Sequence, residues 1–131
     1  MKIRIVVDAN PIMAALLGGI SREIFFDRKF EFVTTKFTLT EVEKYIPQVA
    51  ERAGVNERTI RFALSLLPIS TYEEEAYQKD MEEAEKLIGQ RDKKDVPILA
   101  LALTTGCPLW THDKDFENID QIRLVKTKDL L

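Results

Sequence analysis

Hydrophobic and polar positions along the chain form two kinds of segment. Short runs rich in β-branched and aromatic residues predict strands, and apolar residues that recur every three or four positions predict helices. The predicted strands cover residues 3–7, 31–35, 69–71, 108–111 and 123–126. The predicted helices cover residues 12–17, 21–26, 39–53, 56–67, 72–88 and 96–103.

Capping and helix-breaking residues set the expected ends of these elements. Asn10-Pro11 predicts a turn between the first strand and the first helix. Ser21 and Asn56 are suitable N-cap residues for the second and fourth helices. Pro47 lies inside the third predicted helix and is expected to kink it, because proline lacks the backbone N–H that a helix interior uses.

The alternation of strands and helices favours an α/β fold. Short strands separated by helices are typical of a parallel sheet covered on both faces. With 131 residues, of which 45% are hydrophobic, the chain suits one domain over residues 1–131 with a substantial core. We therefore expect a three-layer α/β/α sandwich around a central, mostly parallel β-sheet.

Composition excludes several classes of protein. The single cysteine, Cys107, cannot form an internal disulfide, and with the single histidine, His112, it is too little for a zinc site. The longest apolar run, residues 96–103, is far too short to span a bilayer. We therefore expect a soluble, cytoplasmic protein without a membrane partner. The formal net charge of −3 shows that the chain is not a polycation built to coat nucleic acid.

Five carboxylates fall where the predicted fold would bring them together. Asp8 ends the first strand, and Asp113 and Asp115 follow the fourth. Asp95 precedes the buried helix, and Glu41 lies near the start of the helix that follows the second strand. Because ligands of parallel α/β sheets collect at the carboxyl ends of the strands, we expect these side chains to share one cleft.

Converging carboxylates repel one another and need a cation. A set of oxygen ligands without Cys or His suits Mg²⁺ or Mn²⁺, and such a site favours hydrolysis of a phosphodiester. Taken singly, each acid also fits an ordinary role, such as turn former for Asp8 or N-cap for Asp95. The prediction depends on their joint placement. With the five acids assigned to a site, basic residues outnumber the remaining acidic ones, so the net charge does not argue against RNA.

Four short motifs, in the right order along the whole chain, resemble the PIN domain family. They are Asp8-Ala9-Asn10 after a β-branched strand, Thr40-Glu41-Val42 at a helix start, Asp92-Lys93-Lys94-Asp95 before a helix, and Thr111-His112-Asp113-Lys114-Asp115-Phe116 after a strand. The resemblance implies a metal-dependent ribonuclease that uses Mg²⁺ or Mn²⁺ to hydrolyse RNA.

The resemblance also implies roles for individual residues. The acids that match the catalytic quartet are Asp8, Glu41, Asp95 and Asp113. The acids expected to ligate the metal are Asp8, Asp95, Asp113 and the accessory Asp115. The side chains expected to orient carboxylates or water are Asn10, Thr111 and Asp92.

Partners follow from the same resemblance. Many small members of the family are VapC-like toxins that are neutralised by an antitoxin protein and form homodimers. Phe62 and Leu66 are apolar residues that a thin layer of helices would leave uncovered, which also favours a homodimer.

Two alternatives stay open at this stage. The same fold can serve as an RNA- or protein-binding module without turnover. A haloacid-dehalogenase-type phosphatase also begins with an Asp after its first strand, but it needs a second Asp two residues later, where this chain has Asn10.

Overall fold

Five parallel strands form one sheet in the order β3-β2-β1-β4-β5. The computed structural model describes all residues from Met1 to Leu131. The strands are β1 Ile3–Val7, β2 Phe30–Thr35, β3 Ile69–Tyr72, β4 Leu109–Trp110 and β5 Leu124–Val125. β1 is central and pairs with β2 on one side and with β4 on the other.

Seven α-helices connect the strands and cover both faces of the sheet. Between β1 and β2 lie α1 Ala9–Leu16 and α2 Gly19–Phe25. Between β2 and β3 lie α3 Lys36–Lys44, α4 Ile46–Ala53 and α5 Glu57–Leu66. Between β3 and β4 lie α6 Met81–Ile88 and α7 Val96–Thr105. None of these helices has the length and apolarity needed to cross a membrane.

Alternation along the strands creates two separate cores. Ile5 and Val7 pack into the core under α1–α5, whereas Val6 between them packs into the core under α6 and α7. Successive strand residues point to opposite faces, and because both faces are covered at Ile5–Val7, these three consecutive residues of the central strand are all apolar. The predicted three-layer α/β/α sandwich is therefore confirmed, and its sheet is parallel at every pairing.

The core under α1–α5 is organised around aromatic rings. Trp110 is fully buried, and its ring centroid lies 5.1 Å from that of Phe25 and 5.6 Å from that of Phe32. Such tilted contacts between aromatic rings stabilise the fold beyond the contribution of the apolar area that they bury. The buried ring of Trp110 therefore anchors the end of β4, and with it the start of the motif Thr111–Phe116, to the core.

The first two helices begin earlier than predicted. α1 begins at Ala9, so Asn10-Pro11 is not a turn but part of the first helical turn, where a missing backbone N–H costs nothing. α2 begins at Gly19 rather than after Ser21, because Gly18 and Gly19, with φ of 99° and 75°, already reverse the chain there.

Two long helical predictions are also corrected. The segment predicted as one kinked helix is two helices that meet at Tyr45, and Pro47 lies in the first turn of the second, where proline is tolerated. Of the predicted helix 72–88, only α6 is α-helical. The preceding residues form 3₁₀ turns at Glu74–Ala76 and Gln78–Asp80, and Tyr77 between them is buried in the core under α6 and α7.

Candidate functional site

The chain reverses its direction of travel across the sheet at β1. It proceeds from β1 to β2 and β3 on one side, and then crosses over to β4 and β5 on the other. In open parallel sheets, ligands bind in the crevice beyond the strand ends at such a switch point. Asp8 directly follows β1 and Thr111 directly follows β4, so both lie at this crevice.

A cleft of about 360 Å³ opens at this position, and we call it the acidic cleft. Its lining carboxylates are Asp8, Glu41, Asp92, Asp95 and Asp113. Its other lining residues are Ala9, Asn10, Met13, Thr38, Tyr45 and Lys94. Lys94 is the only cationic side chain in this lining, so the charges of the cleft are predominantly negative.

Thr111 links the acids at the ends of the two central strands. Its hydroxyl donates to the Oδ2 atom of Asp8 over 2.8 Å and accepts from the backbone N–H of Asp113 over 3.0 Å. The Oδ1 atom of Asp8 accepts from the backbone N–H of Ala9 over 2.8 Å and thereby caps α1. Burial raises the pKa of Asp8, and the two hydrogen bonds from Thr111 and Ala9 act in the opposite direction.

Asp95 is the least compensated carboxylate of the protein. It is 8% exposed, and its Oδ2 atom is the one buried side-chain oxygen that has no hydrogen-bond partner. Burial first, and then the negative charges of Asp8 and Asp113, raise the pKa of Asp95 to about 8. A bound cation would satisfy this oxygen and neutralise the repulsion between these charges.

A second acid cluster extends from Asp95 toward the residues after β4. One carboxylate oxygen from each of Asp95, Asp113 and Asp115 lies within 4.8 Å of the others. The Oδ1 atom of Asp113 accepts from the backbone N–H of Asp115 over 2.9 Å, which fixes the turn between them. Arg91 donates to the backbone carbonyl of Asp115 over 2.6 Å and thus holds this turn against the segment that carries Asp95.

Glu41 enters the acidic cleft from α3, on the other side of the switch point. It is 9% exposed, and its Oε1 atom pairs with the Lys44 ammonium at 3.2 Å. The capped start of α3, where Thr35 accepts from the backbone N–H of Thr38, fixes the helix that carries it. Glu41 is therefore a wall of the cleft and not a member of the Asp95, Asp113 and Asp115 cluster.

The two remaining predicted site residues both line the acidic cleft. Asp92 caps the 3₁₀ turn Lys93–Asp95, because its Oδ1 atom accepts from the backbone N–H of Lys94 over 2.9 Å. This turn presents Asp95 to the cleft. Asn10 is exposed on the first turn of α1. Asp115, in contrast, belongs to the cluster with Asp95 and Asp113 but does not line the cleft.

Five residues of the cleft lining were not predicted as site residues: Ala9 and Lys94, which lie within the motifs, and Met13, Thr38 and Tyr45, which lie outside them. Thr35 ends a run of strand-forming residues, and Thr38 follows three positions later. This spacing is typical of an N-cap residue and the residue that it caps, so the sequence could have placed Thr38 in the first turn of α3. Met13 and Tyr45 carry no such signal, since either residue type would equally suit a core position.

The donor set of the cleft fits a hard divalent cation. All the charged donors are carboxylates, without sulfur or imidazole, and one buried oxygen is left without a partner. Oxygen ligands of this kind suit Mg²⁺ and Mn²⁺.

Comparison with known proteins gives a family and a set of similar folds. A family model described as PIN domain matches residues 6–128. VapBC2 from Rickettsia felis, bound to a DNA fragment from its promoter, is 12% identical with a TM-score of 0.74 and covers 95% of this chain and 98% of that chain. VapBC-1 from nontypeable Haemophilus influenzae is 18% identical with a TM-score of 0.70, over 96% and 99%.

A third solved structure, PAE2754 from Pyrobaculum aerophilum, is 17% identical with a TM-score of 0.66, over 99% of this chain and 93% of that one. At these identities the three structures establish a shared fold. No curated protein matches the chain in sequence. The family match lends no support to the haloacid-dehalogenase alternative.

The raised pKa of Asp95 predicts how stability depends on pH in metal-free protein. The folded protein keeps a proton on Asp95 up to about pH 8, whereas the unfolded chain loses it near the ordinary value of 3.8. Folding stability therefore falls as pH rises from about 4 to 8. In EDTA, we expect Asp95→Asn to melt several degrees above the wild type at pH 8, with the difference shrinking toward pH 4.

The matched control is Asp120→Asn, which removes an exposed acid outside the acidic cleft. It should follow the wild-type pH dependence, as measured by circular dichroism melting curves. Parallel curves for Asp95→Asn and wild type across this pH range would show that Asp95 is not the titrating group.

Proposed function

The chain belongs to the PIN domain family, and on this premise we propose that it is a metal-dependent ribonuclease that hydrolyses RNA phosphodiester bonds. The observation that carries the proposal is the acidic cleft at the switch point of the sheet. Asp95 is too deeply buried, and too close to Asp8 and Asp113, to remain ionised near neutral pH without a cation. Simple structural roles would not require this arrangement.

The proposed metal ligands are Asp8, Asp95, Asp113 and Asp115, holding Mg²⁺ or Mn²⁺. When bound, such a cation would polarise a phosphate ester and lower the pKa of a bound water molecule. The geometry supports this assignment because Thr111 ties Asp8 to the backbone of Asp113, and Asp113 in turn caps the turn to Asp115.

The other proposed site residues act on these carboxylates or on water. Thr111 orients Asp8 through its hydroxyl, and Asp92 supports the turn that presents Asp95. Glu41 completes the proposed catalytic quartet from the opposite wall, where Lys44 occupies only one of its carboxylate oxygens. The other oxygen has no protein partner and is free to accept a hydrogen bond from water. Asn10 also lines the acidic cleft.

The proposal predicts cleavage of single-stranded RNA with Mg²⁺ or Mn²⁺. EDTA should abolish it, and Asp8→Asn and Asp95→Asn should each lower the rate by at least about 10²-fold, since preorganised charge of this kind is worth that much. The measurement is the rate of product formation from a labelled RNA on a denaturing gel.

The control is again Asp120→Asn, which should cleave at the wild-type rate. Wild-type rates in the Asp8→Asn and Asp95→Asn variants would contradict the metal-site assignment. RNA retained on a filter with no metal-dependent product would instead favour a binding module without turnover.

We further propose that the protein is a VapC-like toxin with an antitoxin partner. Two of the similar folds belong to VapBC structures, which match this chain over nearly its full length.

Expression of the wild-type chain in a bacterial host should then arrest growth, and Asp8→Asn should not. A short reading frame that overlaps this one upstream is expected, and coexpression of the protein that it encodes should relieve the arrest. Growth curves after induction provide the measurement, and equal growth of wild-type and Asp8→Asn strains would rule out the toxin role.

A homodimer is the last part of this proposal. Phe62 and Leu66 lie one turn apart on α5 and are 64% and 55% exposed, so together they present an uncovered apolar surface. We expect sedimentation at micromolar concentration to give the dimer mass, and Phe62→Glu to shift it toward monomer. A stable wild-type monomer under these conditions would contradict dimer formation.

A further inference from the structure

A smaller pocket lies beside the acidic cleft and shares Asp113 with it. Its volume is about 160 Å³, and we call it the basic pocket. Its lining residues are Thr111, His112, Asp113, Lys114, Glu117, Leu124 and Lys126. The ammonium groups of Lys114 and Lys126 form no salt bridge, so neither is held by a carboxylate of the protein.

Strand pairing brings the cationic groups of this pocket together. His112 and Lys114 follow β4, and Lys126 follows β5, which pairs in parallel with β4. Because parallel strands end at the same edge, residues 12 to 14 positions apart in sequence line one depression. Asp113 belongs to both sites; apart from it, the lining of the basic pocket carries two ammonium groups against the single carboxylate of Glu117. The balance of charge therefore changes across Asp113, from strongly negative in the acidic cleft to an excess of ammonium groups beyond it.

The imidazole of His112 is held from the core side. Its Nε2 atom lies 2.8 Å from the hydroxyl oxygen of Thr127, and this oxygen accepts from the indole N–H of the fully buried Trp110 over 3.2 Å. With Nε2 engaged, Nδ1 is the ring nitrogen without a protein partner. The ring is thus positioned by the protein before any ligand arrives, which lowers the entropic cost of binding.

We propose that the basic pocket binds a backbone phosphate of the RNA strand next to the phosphate in the acidic cleft. This inference rests on the proposed function. Two unpaired lysines and an oriented imidazole suit a phosphate oxygen, and Asp113, common to both sites, places the two phosphates on neighbouring parts of one strand. The acidic cleft repels RNA until a cation is bound, so the basic pocket supplies attraction that does not require metal.

The test measures RNA binding without cleavage. A fluorescein-labelled single-stranded RNA is titrated in EDTA at several salt concentrations, and anisotropy gives the dissociation constant. For single strands, each phosphate contact contributes about −0.7 to the slope of log K against log salt. We expect Lys114→Ala and Lys126→Ala each to reduce the slope by about that amount, and the double variant by about twice as much.

Two further variants separate the pocket from general surface charge. Glu117→Gln removes the acid of the pocket that lies outside the proposed metal site, so it should tighten binding. Lys79→Ala removes an exposed, unpaired lysine outside both pockets and should leave the slope unchanged. Unchanged slopes in Lys114→Ala and Lys126→Ala, or an equal loss in Lys79→Ala, would overturn the proposal.

The outcome is independent of whether the protein cleaves RNA. Slopes that change as expected in a protein without metal-dependent products would support the basic pocket and contradict the proposed nuclease. Metal-dependent cleavage with unchanged slopes would do the reverse.

Discussion

Repulsion between buried carboxylates is the constraint on which the rest of this structure depends. Four acids that are distant in sequence, Asp8, Glu41, Asp95 and Asp113, line one cleft, and the first three are nearly inaccessible to water. Hydrogen bonds from Thr111 and Ala9 offset the cost of burying the carboxylate of Asp8, and the Lys44 ammonium offsets that cost for Glu41. Asp95 has no comparable partner. A protein that keeps such a group is less stable without a cation than the same fold would be with a neutral side chain there.

The aromatic core and the parallel sheet hold the carboxylates together despite their mutual repulsion. Side chains at strand ends are held by backbone that is paired on both sides, so they cannot move apart when their charges repel. Trp110 anchors the end of β4 in the core, and the next residue, Thr111, bonds to Asp8 at the end of β1. The two central strands thus hold the carboxylates in fixed positions. A metal site needs ligands placed with this precision.

The parts of this arrangement that follow strand ends could be predicted from sequence. The apolar run before Asp8 predicts a strand. Because parallel strands end at the same edge of a sheet, the convergence of Asp8 with Asp113 follows from the topology. Helix starts were less predictable. Ser21 and the residues near Pro47 are compatible with several local structures. The observed ends are set by the positive φ of Gly18 and Gly19 and by the break between α3 and α4 at Tyr45. The predicted strands 108–111 and 123–126 contain β4 and β5, but the hydrophobic pattern does not specify that these two strands pair with each other. The basic pocket depends on that pairing and on lysines that are compatible with any exposed position.

The order of the strands has a consequence for biosynthesis. The hydroxyl of Thr111 and the carboxylate of Asp8 that it contacts lie 103 positions apart in the chain. Asp8 therefore leaves the ribosome early, but the wall that completes its cleft exists only after β4 has been synthesised and has inserted beside β1. A nascent or truncated chain that ends before β4 has all seven helices but lacks Thr111 and Asp113, so its site is incomplete. For a protein whose proposed activity destroys RNA, the topology itself delays that activity until β4 and the residues that follow it have been translated.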